Sequence, residues 1–387
     1  MTQKVRLGII GHGAEGTMYS KFLTEGRVPE MEIGAICDIL PEKKEAADSY
    51  GVPFFTDYIE MLDSGTVDAI VTCVPHYLHP EMGIEALKRK IHTLIEKPVG
   101  VYTKQAREVI EFAQNTPDVK CGVFFNQRTN PLYRDLKALI DSGELGSLRH
   151  TSWIITTWWR PQGYYNQSEW RATWGGEGGG VLVNQAPHQL DLWQWLCGAP
   201  KSVFAKAAYG YRRDIVVEDE VNALADFGNG ATGTFITSTN DLPGTDRLEI
   251  LFDRGKIVVE NSDTVHITRL VDDERVLSDK MGMEEIVALF TGKLDRESLM
   301  STETKTYESV WGGQHVEVLK NFAAQILHDA DPLAPIADGI YGVALANAIH
   351  LSSWTGTEVS LENFDEDLYL ELLNERIEAE GKFESRK

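Results

Sequence analysis

The chain has 387 residues, of which 42% are hydrophobic and 25% are charged, values close to globular averages. This length predicts two domains with a large core, and the composition excludes a wholly disordered chain or a collagen-like fold. The formal net charge of −22 disfavours nucleic acid and anionic membranes as partners, because both are polyanions. We therefore expect a cytoplasmic protein that acts on a small molecule.

The cysteines Cys37, Cys73, Cys121 and Cys197 lie in apolar segments without a CxxC spacing. We interpret them as free thiols, since neither a disulfide framework nor a zinc site has this pattern, and we predict no metal site. The apolar run near the N-terminus is shorter than the roughly 7–15-residue core of a signal peptide. No stretch approaches the roughly 20 apolar residues of a membrane span.

The first third of the sequence alternates short apolar runs with segments of helical character. This alternation predicts an α/β fold, a doubly wound parallel sheet with helices on both faces, over residues 1–125. The predicted strands are Val5–Ile10, Met31–Cys37, Ala69–Val74, Ile91–Ile95 and Val119–Phe125, and the predicted helices are Ala14–Thr24, Pro41–Ser49, Pro80–Lys90 and Thr103–Gln114.

Residues 126–387 have longer, more β-branched strands and short turns, including the hairpin signal Gly228-Asn229-Gly230. They predict a second, α+β domain with a large, mostly antiparallel sheet. Residues 262–312 have no clear assignment and are interpreted as an insertion, and residues 361–387 as an acidic helix with a frayed end. The predicted strands are Arg149–Thr157, Lys201–Tyr209, Val221–Phe227, Ala231–Thr237, Arg247–Phe252 and Lys256–Glu260, and the predicted helices are Pro131–Ser142, Val316–Ala330 and Gly339–Trp354.

The first predicted strand leads directly into a glycine-rich turn and a helix. Gly11-His12-Gly13-Ala14-Glu15-Gly16 has the spacing G-x-G-x-x-G, which allows a tight turn, close approach of a pyrophosphate and close helix packing. Asp38 ends the second predicted strand, where an acidic side chain accepts hydrogen bonds from the ribose of NAD. The combination predicts a Rossmann domain that binds NAD. NADP is disfavoured by the charge of Asp38, which Lys43 or Lys44 would partly offset. A Rossmann protein of another kind, such as a methyltransferase, is the alternative.

A second motif, Glu96-Lys97-Pro98, follows a predicted parallel strand. Open α/β sheets bind ligands at the carboxyl ends of their strands, so Lys97 is a candidate to contact a substrate hydroxyl. A salt bridge at the end of the strand is the alternative.

A third motif runs from Gly178 to Asp191 and contains Asn184 and His188. Their four-residue spacing predicts that both lie on one face of a helix. The reference pKa of a histidine side chain is near neutrality, so His188 is a candidate general base, the alternative being a buried structural histidine. Asp191 either orients that imidazole or caps the local structure.

Together, the glycine-rich turn, the E-K-P triplet and the G-G-G…H-x-x-D run resemble the GFO/IDH/MocA family, the relatives of glucose–fructose oxidoreductase and inositol dehydrogenase. The resemblance covers most of the chain. It implies NAD-dependent oxidation of a sugar, polyol or glycoside hydroxyl, or the reverse reaction, by a homodimer or homotetramer. It further implies that Lys97 hydrogen-bonds the reacting oxygen and that His188 takes its proton. Many inositol-dehydrogenase-like members have aspartate at the position of Asn184. An amide carries no proton away, so we expect Asn184 to position a hydroxyl instead.

The resemblance also implies cofactor contacts outside the glycine-rich turn. For two of these residues, His76 and His79, the alternative is a helix-capping role. The implied contacts are Cys73, Val74, Pro75, His76, His79, Glu96, Lys97, Asn126, Trp170 and Arg171.

Seven of the nine tryptophans lie between Trp153 and Trp195, and aromatic rings pack well on the C–H faces of sugars. We interpret Trp193 and Trp195 as core or interface residues, and the segment from Arg160 to Tyr164-Tyr165 as a loop over the cleft. The candidate substrate contacts are Lys97, Arg128, Trp158, Arg160, Tyr165, Asn184 and His188.

Two other functions stay open at this point. Some relatives of the family are glycosidases or epimerase-like enzymes that oxidise and re-reduce a sugar with bound NAD in a closed cycle. The second open function is that of a regulatory protein that senses a nucleotide. The presence of both Lys97 and His188 disfavours this function.

Overall fold

The N-terminal part of the chain forms a six-stranded parallel sheet in the computed structural model, which describes residues 4–308 and 312–380. Its strands are β1 (Val5–Ile10), β2 (Met31–Cys37), β3 (Phe54–Phe55), β4 (Ala69–Thr72), β5 (His92–Ile95) and β6 (Cys121–Val123), and its helices are α1 (Ala14–Thr24), α2 (Lys44–Tyr50), α3 (Tyr58–Asp63), α4 (His79–Lys88) and α5 (Thr103–Gln114). The order is β3-β2-β1-β4-β5-β6. The chain changes direction across the sheet between β1 and β4, the point where such sheets bind ligands. The predicted doubly wound parallel sheet is confirmed.

The first sheet departs from the prediction mainly at the ends of its elements. The strand predicted to reach Val74 ends at Thr72, and the helix predicted over Pro41–Ser49 divides into a 3-10 turn, Pro41–Lys43, and α2. The strand β3 and the helix α3 were not predicted. Each is too short to show a periodic pattern of apolar residues.

The second sheet of the molecule has nine strands. Its order is β14-β13-β12-β11-β7-β10-β9-β8-β15, and among the described residues β7 and β10 pair in parallel while the other neighbours are antiparallel. The predicted α+β part with a mostly antiparallel sheet is confirmed. The strands are β7 (Leu148–Ile155), β8 (Ser202–Tyr209), β9 (Glu218–Gly228), β10 (Ala231–Ser238), β11 (Asp246–Phe252), β12 (Gly255–Glu260), β13 (Thr264–Leu270), β14 (Met300–Thr306) and β15 (Val359–Ser360).

The predicted hairpin at Gly228-Asn229-Gly230 joins β9 to β10, and all three residues have positive φ, between 53° and 82°. The segment 262–312, which had no assignment, adds β13 and β14 to one edge of the sheet. Two short helices, α9 (Glu274–Lys280) and α10 (Met283–Phe290), lie between these strands.

Helices cover one face of the nine-stranded sheet and bury its core. Trp153, Trp193 and Phe235 are fully buried there, so Trp193 is a core residue. The opposite face leaves Phe204 and Leu224 exposed. The remaining helices are α6 (Pro131–Asp141), α7 (Gln162–Tyr165), α8 (Pro187–Cys197), α11 (Gly313–His328), α12 (Gly339–Thr355) and α13 (Glu366–Glu380).

The chain returns to the first sheet near its C-terminus. The helix α11 packs Leu319 and Phe322 against Leu7 and Ile9 of β1. This packing places the first turn of α11, with His315, beside the carboxyl edge of the parallel strands. The division of the chain at residue 125 stays a prediction. The predicted acidic tail helix appears as α13, and residues 381–387 lie outside the described residues.

Among the described residues, no helix combines the length and the apolar character that crossing a bilayer requires.

Candidate active site

The turn between β1 and α1 places its three glycines in different surroundings. A Cβ at Gly11, where φ is +89°, would lie 2.2 Å from the carbonyl oxygen of Cys73, and a Cβ at Gly16 would lie 2.1 Å from that of Gly11. Within the part of the chain that the structure describes, a Cβ at Gly13 would meet no atom within 4 Å, and no side chain caps the N-terminus of α1. The fold therefore requires glycine at positions 11 and 16, where a Cβ would overlap backbone atoms. Gly13 borders open space at a helix N-terminus, which fits a dinucleotide pyrophosphate.

Asp38 lies beside this turn at the end of β2. Its Oδ2 accepts a hydrogen bond from the His12 amide at 2.7 Å, and its Oδ1 accepts one from the Leu40 amide at 2.9 Å. The carboxylate is partly exposed, so its remaining lone pairs face the edge of the sheet. The His12 ring points inward, with Nε2 3.1 Å from Ser20 Oγ, and burial lowers its pKa. The motif therefore presents backbone and Asp38, not the imidazole.

The loop after β4 forms the other wall of the turn, because Cys73 and Val74 are the residues nearest to Gly11. Further along, His76 Nδ1 lies 3.0 Å from the Glu177 carbonyl, and its ring meets Trp170 edge-on at 6.1 Å. This contact joins the first sheet to the segment that precedes the glycine run.

His79 has both ring nitrogens against backbone, 2.8 Å from the Pro98 carbonyl and 2.8 Å from the Val74 carbonyl. Burial lowers the pKa of His79 to about 4, so the ring is neutral and donates to one of the two. His79 therefore supports the E-K-P turn from within the fold and presents no ring nitrogen to a cofactor.

Glu96 fixes the turn that carries Lys97. Its carboxylate accepts hydrogen bonds from the Tyr19 hydroxyl and, at 3.1 Å, from the Lys97 amide. Burial, together with the nearby Glu15, raises the pKa of Glu96 to about 7. The side chain of Lys97 then spans the cleft, and its Nζ donates to the Asn184 carbonyl at 3.0 Å.

Asn184 does not lie on a helix, so the prediction that it shares a helix face with His188 is wrong. Its amide N–H closes a turn onto the Gly180 carbonyl at 3.0 Å, and α8 begins only at Pro187, which suits a first helical position. Buried Glu218 holds this turn by accepting from the Gly180 and Leu182 amides. The side-chain amide of Asn184 donates to Glu177.

His188 stands in the first turn of α8 with a buried Nδ1 that has no hydrogen-bond partner among the described residues. Burial lowers its pKa well below the ordinary value, and the charge of Lys97 and the nearby His315 lower it further. A neutral imidazole with a free nitrogen accepts a proton or a hydrogen bond.

Two residues of this site were missed by the sequence analysis. Glu177 is 2% exposed, accepts from the Ala172 amide at 2.7 Å, and has a pKa that burial raises to about 7. His315 comes from α11, with Nε2 2.9 Å from Nδ2 of Asn126, and burial with the charge of Lys97 lowers its pKa to about 4. Glu177 stands directly before the glycine run, which was a usable signal. His315 is distant from every motif and had none.

Arg128, a candidate substrate contact, is buried and paired within the fold. It is 4% exposed, and its Nε and Nη2 donate to the two carboxylate oxygens of Asp191 at 2.9 and 2.6 Å, while Nη1 donates to Asp338. Three of the five N–H groups of the guanidinium are used within the fold. The same pair answers the alternatives for Asp191, which holds Arg128 and does not orient His188.

The segment from Arg160 to Tyr165, here called the aromatic loop, presents Tyr164 rather than Tyr165 to the site. Tyr165 is buried and donates its hydroxyl to Thr239 at 3.0 Å. The Tyr164 hydroxyl accepts from Arg171 at 2.8 Å and lies 3.5 Å from Oδ1 of Asn184. Trp158 keeps a buried indole N–H without a partner among the described residues.

Two family models match the chain. One is described as the oxidoreductase family, NAD-binding Rossmann fold, and covers residues 5–125; the other, the GFO/IDH/MocA C-terminal domain, covers residues 133–258. The chain belongs to the GFO/IDH/MocA family. Its first sheet is therefore the NAD-binding Rossmann part of an oxidoreductase.

Curated relatives are about a quarter identical to this chain over the aligned residues. Uncharacterized oxidoreductase YrbE of Bacillus subtilis is 28% identical over 269 residues, which cover 68% of this chain and 75% of that protein. Myo-inositol 2-dehydrogenase of Thermotoga maritima is 26% identical over 273 residues, which cover 66% of this chain and 75% of that protein.

Solved structures show the same fold. Levoglucosan dehydrogenase in complex with NADH and levoglucosan has a TM-score of 0.77 at 20% identity, covering 93% of this chain and 100% of that chain. The WlbA dehydrogenase from Bordetella pertussis, in complex with NADH and UDP-GlcNAcA, has a TM-score of 0.74 at 24% identity, covering 92% and 99%.

Proposed function

We propose that this chain is an NAD-dependent dehydrogenase that moves a hydride between nicotinamide and a carbinol carbon of a sugar, polyol or glycoside. The observation that carries the proposal is the state of His188. Its buried Nδ1 is unpartnered among the described residues, and the field of Lys97 helps to keep the ring neutral. A proton acceptor beside an ammonium group suits the removal of a hydroxyl proton.

The cofactor would be held by the glycine-rich turn and by Asp38. The open backbone at Gly13 and the uncapped end of α1 suit the pyrophosphate, and the Asp38 carboxylate suits the ribose hydroxyls. A ribose 2′-phosphate would meet the negative charge of Asp38, so we propose NAD over NADP. When bound, the nicotinamide supplies the hydride acceptor.

Lys97 and His188 have different roles at the reacting hydroxyl: Lys97 donates a hydrogen bond to its oxygen and His188 accepts its proton. One N–H of Lys97 donates to the Asn184 carbonyl, and an ammonium group has two more to donate to a substrate oxygen. This charge favours the alkoxide, and His188 accepts the proton. Asn184, whose amide is held by Glu177, positions the lysine through its carbonyl.

Relatives support a polyhydroxylated substrate, because they include a myo-inositol 2-dehydrogenase and a levoglucosan dehydrogenase. The exposed sheet face with Phe204 and Leu224 is the surface we propose for a homodimer or homotetramer.

The test is nicotinamide absorbance with NAD and, separately, NADP across inositols, free sugars and glycosides. We expect reduced NAD with one substrate class and no signal from a Lys97→Met variant. Glycoside cleavage or sugar isomerisation without net NADH would contradict the proposal in favour of a closed redox cycle.

A further inference from the structure

A cavity of about 570 Å³ opens beside the candidate active site. Residues 165–169 and 171–173 form one wall, and Asp214, Ile215 and Val216 form the other. The proposed function assigns no role to this space.

Arg171 lines this cavity, and two further half-buried arginines, Arg160 and Arg213, are connected to it through the Tyr164 ring and the Arg160 backbone. The guanidinium carbons of Arg160 and Arg171 lie 5.1 and 4.8 Å from the centre of the same Tyr164 ring. Arg213 joins them, because its Nε donates to the Arg160 carbonyl at 2.7 Å. Aromatic stacking fixes the guanidinium groups while leaving their N–H groups able to donate.

None of these three arginines forms an ion pair with a carboxylate within residues 4–308 and 312–380. Their hydrogen bonds go to neutral acceptors, namely backbone carbonyls and the Tyr164 hydroxyl. Glu169 and Asp214 line the cavity without pairing with them, and Glu177 is bonded to Ala172 and Asn184. Among the described residues, Arg27 and Arg376 also stack on aromatic rings without an ion pair, whereas seven other arginines pair with carboxylates: Arg6, Arg89, Arg107, Arg128, Arg149, Arg247 and Arg269.

Arg171 is connected to Lys97 through Tyr164 and Asn184. Arg171 donates to the Tyr164 hydroxyl, which lies 3.5 Å from the side chains of both Asn184 and Gln185. Asn184 in turn accepts from Lys97. A ligand group held by the arginines and a hydroxyl held by Lys97 would thus belong to one small molecule.

We propose that Arg160, Arg171 and Arg213 bind an anionic group of the substrate, so that the enzyme acts on a sugar or polyol that carries a carboxylate or a phosphate. Gathering three partly desolvated positive charges is costly, and an anion that accepts forked N–H donors offsets that cost. This inference rests on the proposed function, because it places the oxidised hydroxyl at Lys97.

The experiment compares sugars that differ only in the anion: a hexose, its uronate and its 6-phosphate, in the gluco, galacto and manno series. We expect a kcat/KM for one anionic form at least roughly 10-fold above that of the neutral hexose, since a hydrogen bond to a charged group contributes roughly 1.5–3 kcal/mol. Whether the uronate or the 6-phosphate is preferred identifies the anion.

Arg160→Met and Arg171→Met should remove this preference, lowering kcat/KM for the anionic sugar by at least roughly 10-fold more than for the neutral hexose. Arg212→Met is the matched control, because Arg212 is an exposed neighbour that does not stack on Tyr164. Any effect on cofactor affinity acts equally on both members of a pair and cancels in the ratio. A preference for the neutral hexose, or an equal loss for both members in the variants, would overturn the proposal.

Calorimetric titration of the protein–NADH complex with the same sugars separates this proposal from the proposed function. If no sugar is oxidised but an anionic sugar binds wild type and not Arg171→Met, the anion site stands and the proposed function fails. Binding that ignores the anion, or no binding at all, overturns the anion site.

Discussion

The side-chain amide of Asn184 donates a hydrogen bond to the buried carboxylate of Glu177. The carbonyl of the same residue accepts from Nζ of Lys97 at 3.0 Å. Asn184 therefore joins the lysine of the proposed reaction to a carboxyl whose pKa burial raises to about 7. A carboxyl group is thus present beside position 184, seven residues earlier in the chain, although position 184 itself is an amide.

Asn184→Asp places a second carboxyl against Glu177. Two carboxylates in contact cannot both ionise without a large cost, so one holds a proton. Wild-type Glu177 ionises near pH 7, and in the variant the shared proton leaves at a higher pH, so we expect the pH–rate profile of the variant to be displaced to higher pH. Measured pH–rate profiles check this, and Glu177→Gln in the same chain should remove the displacement. The same profile in the variant and in wild type would contradict the coupling.

Glu177 also predicts how stability depends on pH. Its folded pKa, about 7, lies above the ordinary value of 4.5, so the folded protein retains a proton that the unfolded chain releases. The stability that this proton contributes is complete below pH 4.5 and is lost as the pH rises through 7.

The Glu177→Gln variant has no carboxyl at this position to ionise, so it does not lose this stability as the pH rises. Relative to wild type, its free energy of unfolding should improve between about pH 5 and pH 8, as measured by urea denaturation. Glu169→Gln, which removes an exposed carboxyl from the neighbouring loop, is the control and should show a constant difference. A constant difference for Glu177→Gln as well would refute the prediction.

His188→Ala removes the proposed proton acceptor. We expect kcat to fall by roughly 10²–10⁴-fold, the usual contribution of a positioned general base. NADH binding, followed by fluorescence titration, should persist because His188 lies outside the glycine-rich turn. Wild-type turnover in the variant would reject the assignment.

Alanine substitutions at two glycines of the turn, Gly13 and Gly16, distinguish an effect on cofactor binding from an effect on folding. Gly13→Ala meets no atom within 4 Å and has a negative φ of −80°, so the variant should fold with an unchanged melting temperature and bind NAD more weakly. Gly16→Ala should destabilise the fold itself, because its Cβ would overlap the Gly11 carbonyl. Melting curves with and without NADH distinguish the two. Full NAD affinity in folded Gly13→Ala would place the pyrophosphate elsewhere.

Arg128→Met leaves Asp191 buried without its partner. Breaking a buried ion pair typically costs about 3–5 kcal/mol, and we expect that loss in urea denaturation. The control is Arg89→Met, which breaks more exposed pairs with Asp63 and Glu85 and should cost about 1 kcal/mol per pair or less. If the two variants lost the same free energy of unfolding, the buried Arg128–Asp191 pair would not stabilise the fold more than an exposed pair does.

The sequence predicts the parts of this molecule that depend on local pattern. The glycine spacing, the strand and helix alternation and the E-K-P triplet identify the first sheet and its ligand edge. The burial of Arg128 could not be predicted, because its partners Asp191 and Asp338 come from distant segments. The same holds for His315, which α11 brings back to the first sheet. Asn184 was misplaced because a four-residue spacing carries meaning only if a helix has already begun.

The most direct test of the proposed reaction follows the carbinol hydrogen itself. A substrate that gives signal in the absorbance assay would be labelled with deuterium at its carbinol carbons, and the nicotinamide released after one turnover would be analysed by mass spectrometry. The account predicts one deuterium on each NADH formed by wild type, and none within the same time from His188→Ala. Consumption of the labelled substrate with no deuterium on released nicotinamide would contradict it.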